Sequence, residues 1–435
     1  MDRTGGFRTV FGFSIPVLLA CWPGSAQAGS FHVREQSARG MGQAYAGVAA
    51  GSGGLSSMFW NPATMTQAPG IQSSLIATGI IPYANLAPTA GTLPALLPLG
   101  GAGNISPSAL VPALYGSYQI TDDLWAGLAV NVPYGLGSKP RVPTASQLYG
   151  LKSGIKSVEI TPMLAYRFNE MLSVGIGVRF MRLSLQQQTA LAPIPTPPVL
   201  AMRTNGWGTG FRIGAMFRPF AGTTIGLAYN SRIDIATTGA MSLPIPLFAI
   251  PAGVYNVGFK LVTPDSVNIG IRQKVGDNFA LTGTFEWTNW SRLKSVPITG
   301  SPIPGQSAPF FYRDGWLAAL GGEYRWNDRL TLRAGISYEQ SPLTTRIREV
   351  RNVDRDRKLL TAGLTYSFSE KLSLDAAYAV APPGKTRIAI LPGNPTFPLV
   401  GAPYTGTVKG SLHMVSFGLT YRWDSGAKRI VSAKF

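Results

Sequence analysis

The sequence predicts an all-β fold, a closed, 14-stranded antiparallel transmembrane β-barrel, and three observations carry that expectation. First, short runs alternate apolar with small or polar residues from about residue 71 to residue 423. One run sets Phe279, Leu281, Gly283, Phe285 and Trp287 against Ala280, Thr282, Thr284, Glu286 and Thr288. Successive side chains of a strand point to opposite faces, so such a run offers one face to lipid and one to a wetter interior. Second, beyond the first 28 residues no 18-residue apolar span lacks charges or frequent Gly and Pro, which argues against a helical bundle. In hydrocarbon a closed sheet is the remaining way to satisfy every backbone group. Third, tight links alternate with long ones, as expected of periplasmic turns and external loops. Such a wall is suited to moving something through a membrane.

In chain order, residues 1–28 read as an export signal. Arg3 and Arg8 start it, Val10–Ala20 is largely apolar, and Ala26-Gln27-Ala28 is a cleavage signal. Leu18-Leu19-Ala20-Cys21 also resembles a lipoprotein box, so cleavage after Ala28 and a lipid anchor at Cys21 both stand as readings. Cleavage after Ala28 removes the only cysteine and with it any thiol chemistry. Residues 29–67 precede the alternation. Gly40, Gly42, Gly47 and neighbouring alanines let this segment fold into a narrow space.

Strands are expected near 71–84, 112–120, 123–132, 157–168, 171–188, 206–218 and 223–237. A second set is expected near 260–273, 278–290, 312–326, 330–341, 357–368, 371–381 and 409–423. Turn residues collect in the tight links Phe168–Met171, Pro219–Gly222, Trp326–Leu330 and Phe368–Lys371. Leu172, Val174, Ile176, Val178 and Phe180 should face lipid, as should Trp207, Phe211, Ile213 and Phe217. Trp125, Trp316, Tyr324, Trp326 and Tyr378 fit interfacial girdles. The barrel takes residues 68–423, and a tail, 424–435, ends in Phe435.

The long links are unusually apolar. Leu93, Leu96, Leu97 and Leu99, with Ile245, Leu247 and Phe248, are the candidates for apolar capture. The bland reading of the same residues is packing over the barrel mouth or dipping into lipid. On inward faces fall Arg179, Arg212, Glu286, Glu323, Arg325, Arg333 and Lys371. Pairing across the lumen is their default role, and meeting an amphiphile's acidic head is the functional one.

The formal net charge of +18 is dispersed among apolar strands of an exported chain, so nucleic-acid binding is not expected. No His/Cys/Asp/Glu spacing suits a metal, and no cofactor is expected. His413 with Ser411 is the one cheap hydrolase pair on a shared strand face, too little to predict an enzyme.

Phe31-His32-Val33-Arg34-Glu35-Gln36-Ser37, the Gly40–Gly47 segment and Phe59-Trp60-Asn61-Pro62-Ala63-Thr64-Met65 resemble the amino-terminal hatch of the FadL/TodX family of outer-membrane hydrophobic-compound transporters. Further likeness lies at Tyr229–Ile233, Thr263–Val267, Glu286–Ser291 and Asp354–Arg357. The resemblance implies a hatch inside the barrel and passive uptake of long-chain fatty acids or small hydrophobic aromatics. It also implies capture at outer loops, internal binding, hatch rearrangement and lateral escape through the wall. Asn61, Pro62 and Ala63 then set hatch conformation and gating. The expected partners are that substrate, outer-membrane lipids, lipopolysaccharide and the barrel-assembly machinery, around a monomer. A general or polar-solute porin is the alternative.

Overall fold

Alternation closes the sheet on itself, because every strand buries one face in the lumen and gives the other to lipid. The computed structural model describes residues 30–423; both readings of the leader and the tail 424–435 lie outside the described residues. The described residues form fourteen barrel strands. They are β1 Ile71–Pro88, β2 Ala109–Gln119, β3 Leu124–Asn131 resuming at Gly135–Ser138, β4 Lys152–Arg167, β5 Leu172–Ala190 and β6 Val199–Phe217. Next come β7, Thr223–Asn230 resuming at Asp234–Leu243, and β8, Gly253–Val262 resuming at Ser266–Val275. The rest are β9 Phe279–Thr288, β10 Gly315–Arg325, β11 Leu330–Gln340, β12 Arg357–Ser367, β13 Leu372–Ile390 and β14 Tyr404–Arg422. Each pairs antiparallel with its neighbour, and β14 closes on β1 from Gln72↔Arg422 to Pro88↔Gly406. No open edge is left along that seam.

β6, β8 and β13 run further toward the outside than their sequence suggests, reaching Val199, Gly253 and Ile390, and the reason is a reversal of polarity that β5 carries as well. On β5, Ile176, Val178 and Phe180 are exposed to lipid while Ser173 and Arg179 are buried. Beyond Phe180 the exposed positions hold Arg182, and the buried ones Met181 and Leu183. β6 to β8 repeat this with Met202, Ile235, Met241, Val257, Phe259 and Leu261 inside. The upper barrel therefore stands above the membrane with an apolar core, whereas the wetter interior expected from the alternation holds for the lower barrel. Together with Phe31, Tyr134, Trp290 and Tyr312 these residues form one buried apolar cluster.

Below it residues 30–67 fill the lumen as the hatch. Its single α-turn, Ala38–Met41, is capped by the Ser37 side chain, which accepts from the Gly40 amide at 2.8 Å. 3₁₀ turns at Val48–Ala50, Gly54–Phe59 and Pro62–Gln67 follow. Over the mouth, Leu96, Ile105, Tyr149, Val350, Val353 and Tyr404 from separate long links pack together.

Among the girdle candidates, Tyr324, Trp326 and Tyr378 are exposed on the outer face, but Trp125 is not. It is buried, and its indole donates to the Ala68 carbonyl at 2.9 Å, fastening the end of the hatch to β3.

Candidate transport site

The hatch is held by charge at its start and by close backbone approach at its end. Arg34, 3% exposed, reaches two wall carboxylates, Glu286 of β9 at 2.6 Å and Glu339 of β11. Arg357 of β12 joins the group, 2.9 Å from Glu339 and 4.0 Å from the hatch Glu35. On the opposite side Glu159 of β4 takes Arg179 at 2.7 Å and Arg212 at 3.3 Å. Arg212 also lies over the Phe59 ring at 5.0 Å and donates to the Met58 carbonyl, tying wall to hatch. Asn268 donates to the second oxygen of Glu286 at 2.9 Å. Buried charges are tolerated where each finds partners of this kind.

Asn61 caps the turn at Pro62–Gln67. Its Oδ1 accepts from the Ala63 amide at 2.9 Å, while Nδ2 donates to Ala49 O at 2.8 Å and to Ala215 O of β6 at 2.9 Å. One side chain thus joins two hatch turns to the wall. Pro62 follows as the first residue of the turn, where its missing N–H costs nothing. The wall makes room with glycine: a Cβ at Gly175 would stand 2.5 Å from the Ala63 nitrogen, and one at Gly214 would overlap the Asn61 amide.

The hatch also holds the wall open. β3 breaks at Val132–Tyr134 and turns inward, where Val33 N donates to Pro133 O at 2.8 Å and Gly135 N to Phe31 O at 2.8 Å. The Gln36 carboxamide brackets Val132, donating to its carbonyl at 2.8 Å and accepting from its amide at 3.3 Å. Tyr115 of β2 donates to the Gln36 carbonyl at 2.8 Å, and Asn131 donates to Tyr115 at 2.8 Å. In consequence β2 pairs with β3 only from Gln119 to Leu114, although it continues with β1 to Ala109. Residues 109–113 border a gap in the wall beside the hatch.

Above this gap Phe31 packs edge-on against Trp290 at 4.8 Å and tilted against Tyr134 at 5.7 Å, so the apolar cluster rests on the first hatch residues. A cavity of about 20 Å³ lies between His32, Trp60, Tyr134, Arg179, Arg212 and Glu286, room for roughly one water. Burial holds His32 well below its usual range, with the Arg34 charge adding to the effect, so it is neutral. Burial raises the Glu35 carboxyl, opposed by Arg357.

The remaining expected residues are scattered. Arg179, Arg212 and Glu286 belong to the networks above. Glu323 lies 3.8 Å from Arg333 and 3.6 Å from Arg272, lower in the lumen. Arg325 is exposed at the end of β10 and donates to Asn278 beside the start of β9, and Lys371 lines a vestibule below the hatch. Leu93, Leu97, Ile245 and Phe248 are exposed, Leu99 and Leu247 half-buried, and Leu96 is wholly buried in the mouth cluster. The two loop groups thus do not present one uniform surface. Ser411 and His413 lie on the outer face of β14, where His413 pairs with Tyr378 at 2.6 Å.

Sequence reasoning did not single out Gln36, Glu159 or Glu339. Spacing offered one signal, since Arg333 and Glu339 share a strand face, but partners across the lumen are invisible to periodicity.

A hatch-filled barrel with fourteen antiparallel strands, an apolar outer core and a wall gap defines a class of outer-membrane transport barrel whose lumen is not an open aqueous pore. The chain belongs to the outer membrane protein transport family (OMPP1/FadL/TodX), whose model matches residues 19–423. It is 30% identical to a 47 kDa outer membrane protein of Pasteurella multocida strain Pm70, covering 93% of this chain and 96% of that one. It is 27% identical to a long-chain fatty acid transport protein of Salmonella typhi, over 85% of this chain and 91% of the relative. Among solved structures, a Pseudomonas aeruginosa FadL homologue shares the fold with a TM-score of 0.80 at 23% identity, over 91% of this chain and all of that one. The protein is an outer-membrane β-barrel.

Proposed function

We propose that the barrel carries long-chain fatty acids or other small hydrophobic compounds passively inward, by capture at the outer loops, binding in the apolar chamber and release when the hatch shifts. The observation that carries this reading is the reversal of polarity above Phe180, which places an apolar core, the chamber of this proposal once a solute parts its side chains, directly on Phe31 and beside the gap at residues 109–113. An apolar solute gains nothing from a fully aqueous pore, so a chamber opening sideways toward lipid suits it better. Gln36 and Asn61 connect the chamber floor to the wall, which is why hatch movement would alter the gap. In this reading Asn61, Pro62 and Ala63 set the gate, the barrel works as a monomer among outer-membrane lipids and lipopolysaccharide, and the barrel-assembly machinery inserts it. No catalytic step is proposed.

The test is uptake of labelled oleate and toluene by a deletion strain carrying the native gene or an empty vector. Uptake restored by the gene supports the proposal, and equal uptake across both substrates and both strains sinks it. Fast swelling of protein-bearing liposomes in small sugars would instead support the porin alternative.

A further inference from the structure

A second irregularity in the wall lies on the far side of the hatch. β12 is in register with β11 from Glu339↔Arg357 onward, but with β13 only from Leu360↔Val380. There β13 shifts register between Ala381 and Gly384, and the intervening Pro382 and Pro383 have no N–H to donate. A cavity of about 310 Å³ occupies this seam, lined from within by Val353 and Leu412 and from outside by Tyr338, Lys358 and Pro382. Toward mid-membrane it meets a groove of about 930 Å³ on the lipid face, which shares Tyr338 and Lys358 with it. Gly283 and Ala318 form the low floor of the groove, between the exposed side chains of Phe285, Leu320, Ile336 and Leu360.

The rim of the groove is aromatic and cationic. Trp316 lies 6.3 Å from Phe285 and 5.2 Å from Tyr338, as in an interfacial girdle. Lys358, exposed beside Tyr338, has no acidic partner among the described residues. Arg355 donates to the Pro382 carbonyl at 3.1 Å, occupying space that a side chain at Gly384 would fill, and likewise has no carboxylate partner among the described residues. Two acids line the same seam. Asp356 is exposed, accepts from Tyr338 at 2.7 Å and from the Ser341 amide at 3.0 Å, and lies 3.7 Å from Arg313, while the buried Asp354 accepts from Ser341 and the Ser30 amide.

Hydrocarbon alone gives no preference for this groove over bulk lipid, since the surrounding tails are equally apolar. Two cations at headgroup height, without an ion-pair partner among the described residues, do give one, because with Arg313 facing Asp356 they leave the seam net positive toward an anionic head. We propose that the seam and groove form a membrane-facing site for a phosphate-bearing acyl lipid of the surrounding leaflet. Its phosphate meets Lys358 and Arg355, and one chain lies along Leu360, Ile336 and Phe285 over Gly283 and Ala318. The site is on the outer wall, apart from the chamber, and does not depend on the transport reading.

Lipid A titrated into the detergent-solubilised barrel and followed by native mass spectrometry tests it. Lys358→Glu reverses an exposed charge, and Ala318→Leu fills the groove floor; heat-modifiable gel mobility verifies that both variants remain folded. The expected result is a saturable one-to-one adduct with the native protein that is lost in Lys358→Glu and weakened in Ala318→Leu. No adduct with the native barrel, equal adducts in all three proteins, or equal binding of a neutral phosphate-free acyl lipid overturns the proposal.

Discussion

Single side chains decide whether the hatch stays seated. Asn61 makes three hydrogen bonds from a fully buried position, and truncation leaves Ala49 O, Ala215 O and the Ala63 amide without it. Each buried group left unsatisfied costs about 1–3 kcal/mol. Asn61→Ala should therefore make the hatch more sensitive to protease added from the periplasmic side and raise single-channel conductance in planar bilayers; unchanged values of both would show that the cap does not hold the gate. Arg34→Ala removes the cation beside Glu286, leaving it the Asn268 amide, and leaves Glu339 to Arg357 alone, and should cost about 3–5 kcal/mol, the scale for breaking a buried pair. Its readout is the melting temperature in detergent, and a melt equal to the native one contradicts the role given to that cluster. Asp354 offers a pH handle outside the membrane-spanning strands. Burial lifts its carboxyl to about 6, against the bonds from Ser341 and the Ser30 amide that favour ionisation. An unfolded aspartate titrates near about 3.9, so the folded chain holds the extra proton between those values. Its stabilisation is thus present at low pH and lost as pH rises from about 4 through about 6. Asp354→Asn should melt higher than the native chain at about pH 8, by an amount on the order of 1–3 kcal/mol, and lose that slope. Parallel melting curves across the range would refute the assignment.

At the level of elements, the strands were legible and their ends were not. Fourteen alternating runs and their short and long links follow from the period of two, which lipid enforces on any wall residue. The same logic misplaces the outer ends. On β5 the sequence keeps alternating through Arg182 and Leu183 while the apolar phase changes sides, and the expected strand, 171–188, spans that change; on β6 and β13 the reading that follows one phase starts near 206 instead of Val199 and stops near 381 instead of Ile390. Inward parity located Arg179, Arg212, Glu286 and Arg333 without naming their partners: Arg34, the partner of Glu286, comes from the hatch, while Glu159 on the strand beside Arg179 and Glu323 opposite Arg333 follow only once the strand register is known. The motifs around Tyr229, Thr263 and Glu286 looked separate, yet they meet at Asp265, which accepts from Tyr229 at 2.9 Å, the Arg232 amide at 3.0 Å and Arg292 at 2.5 Å. Trp125 was assigned to a girdle because aromatic type alone cannot say which face it takes. Wall glycines are legible as small inward residues, but only the structure shows that Gly175 admits the hatch backbone and Gly214 the Asn61 side chain. Gly175→Val should push the Pro62–Ala63 peptide from the wall, an overpacking cost of about 1–3 kcal/mol. If small-sugar permeation and melting both match the native barrel, close approach there is not what seats the hatch.

Across the whole molecule, the question is whether the hatch must move or whether the gap in the wall suffices by itself. The two halves of the hatch are attached differently: its start braces the broken β3 through Gln36, while its end lies on β5 and β6 through Asn61 and Thr66. Thr66 and Ser173 of β5 have their hydroxyl oxygens 3.1 Å apart, close enough that cysteines at both positions could join with modest adjustment to the usual sulfur–sulfur length of about 2.05 Å. The only native cysteine is Cys21. Thr66→Cys with Ser173→Cys, tested with Cys21→Ala, therefore creates a single internal crosslink between hatch and wall. If release requires the whole hatch to shift, oxidised protein should lose oleate uptake to the level of the deletion strain and recover it on reduction. Undiminished uptake in the oxidised form would eliminate displacement of the hatch end and confine any movement to Phe31–Gln36. The solute would then leave through the gap at residues 109–113 with only the chamber floor rearranging.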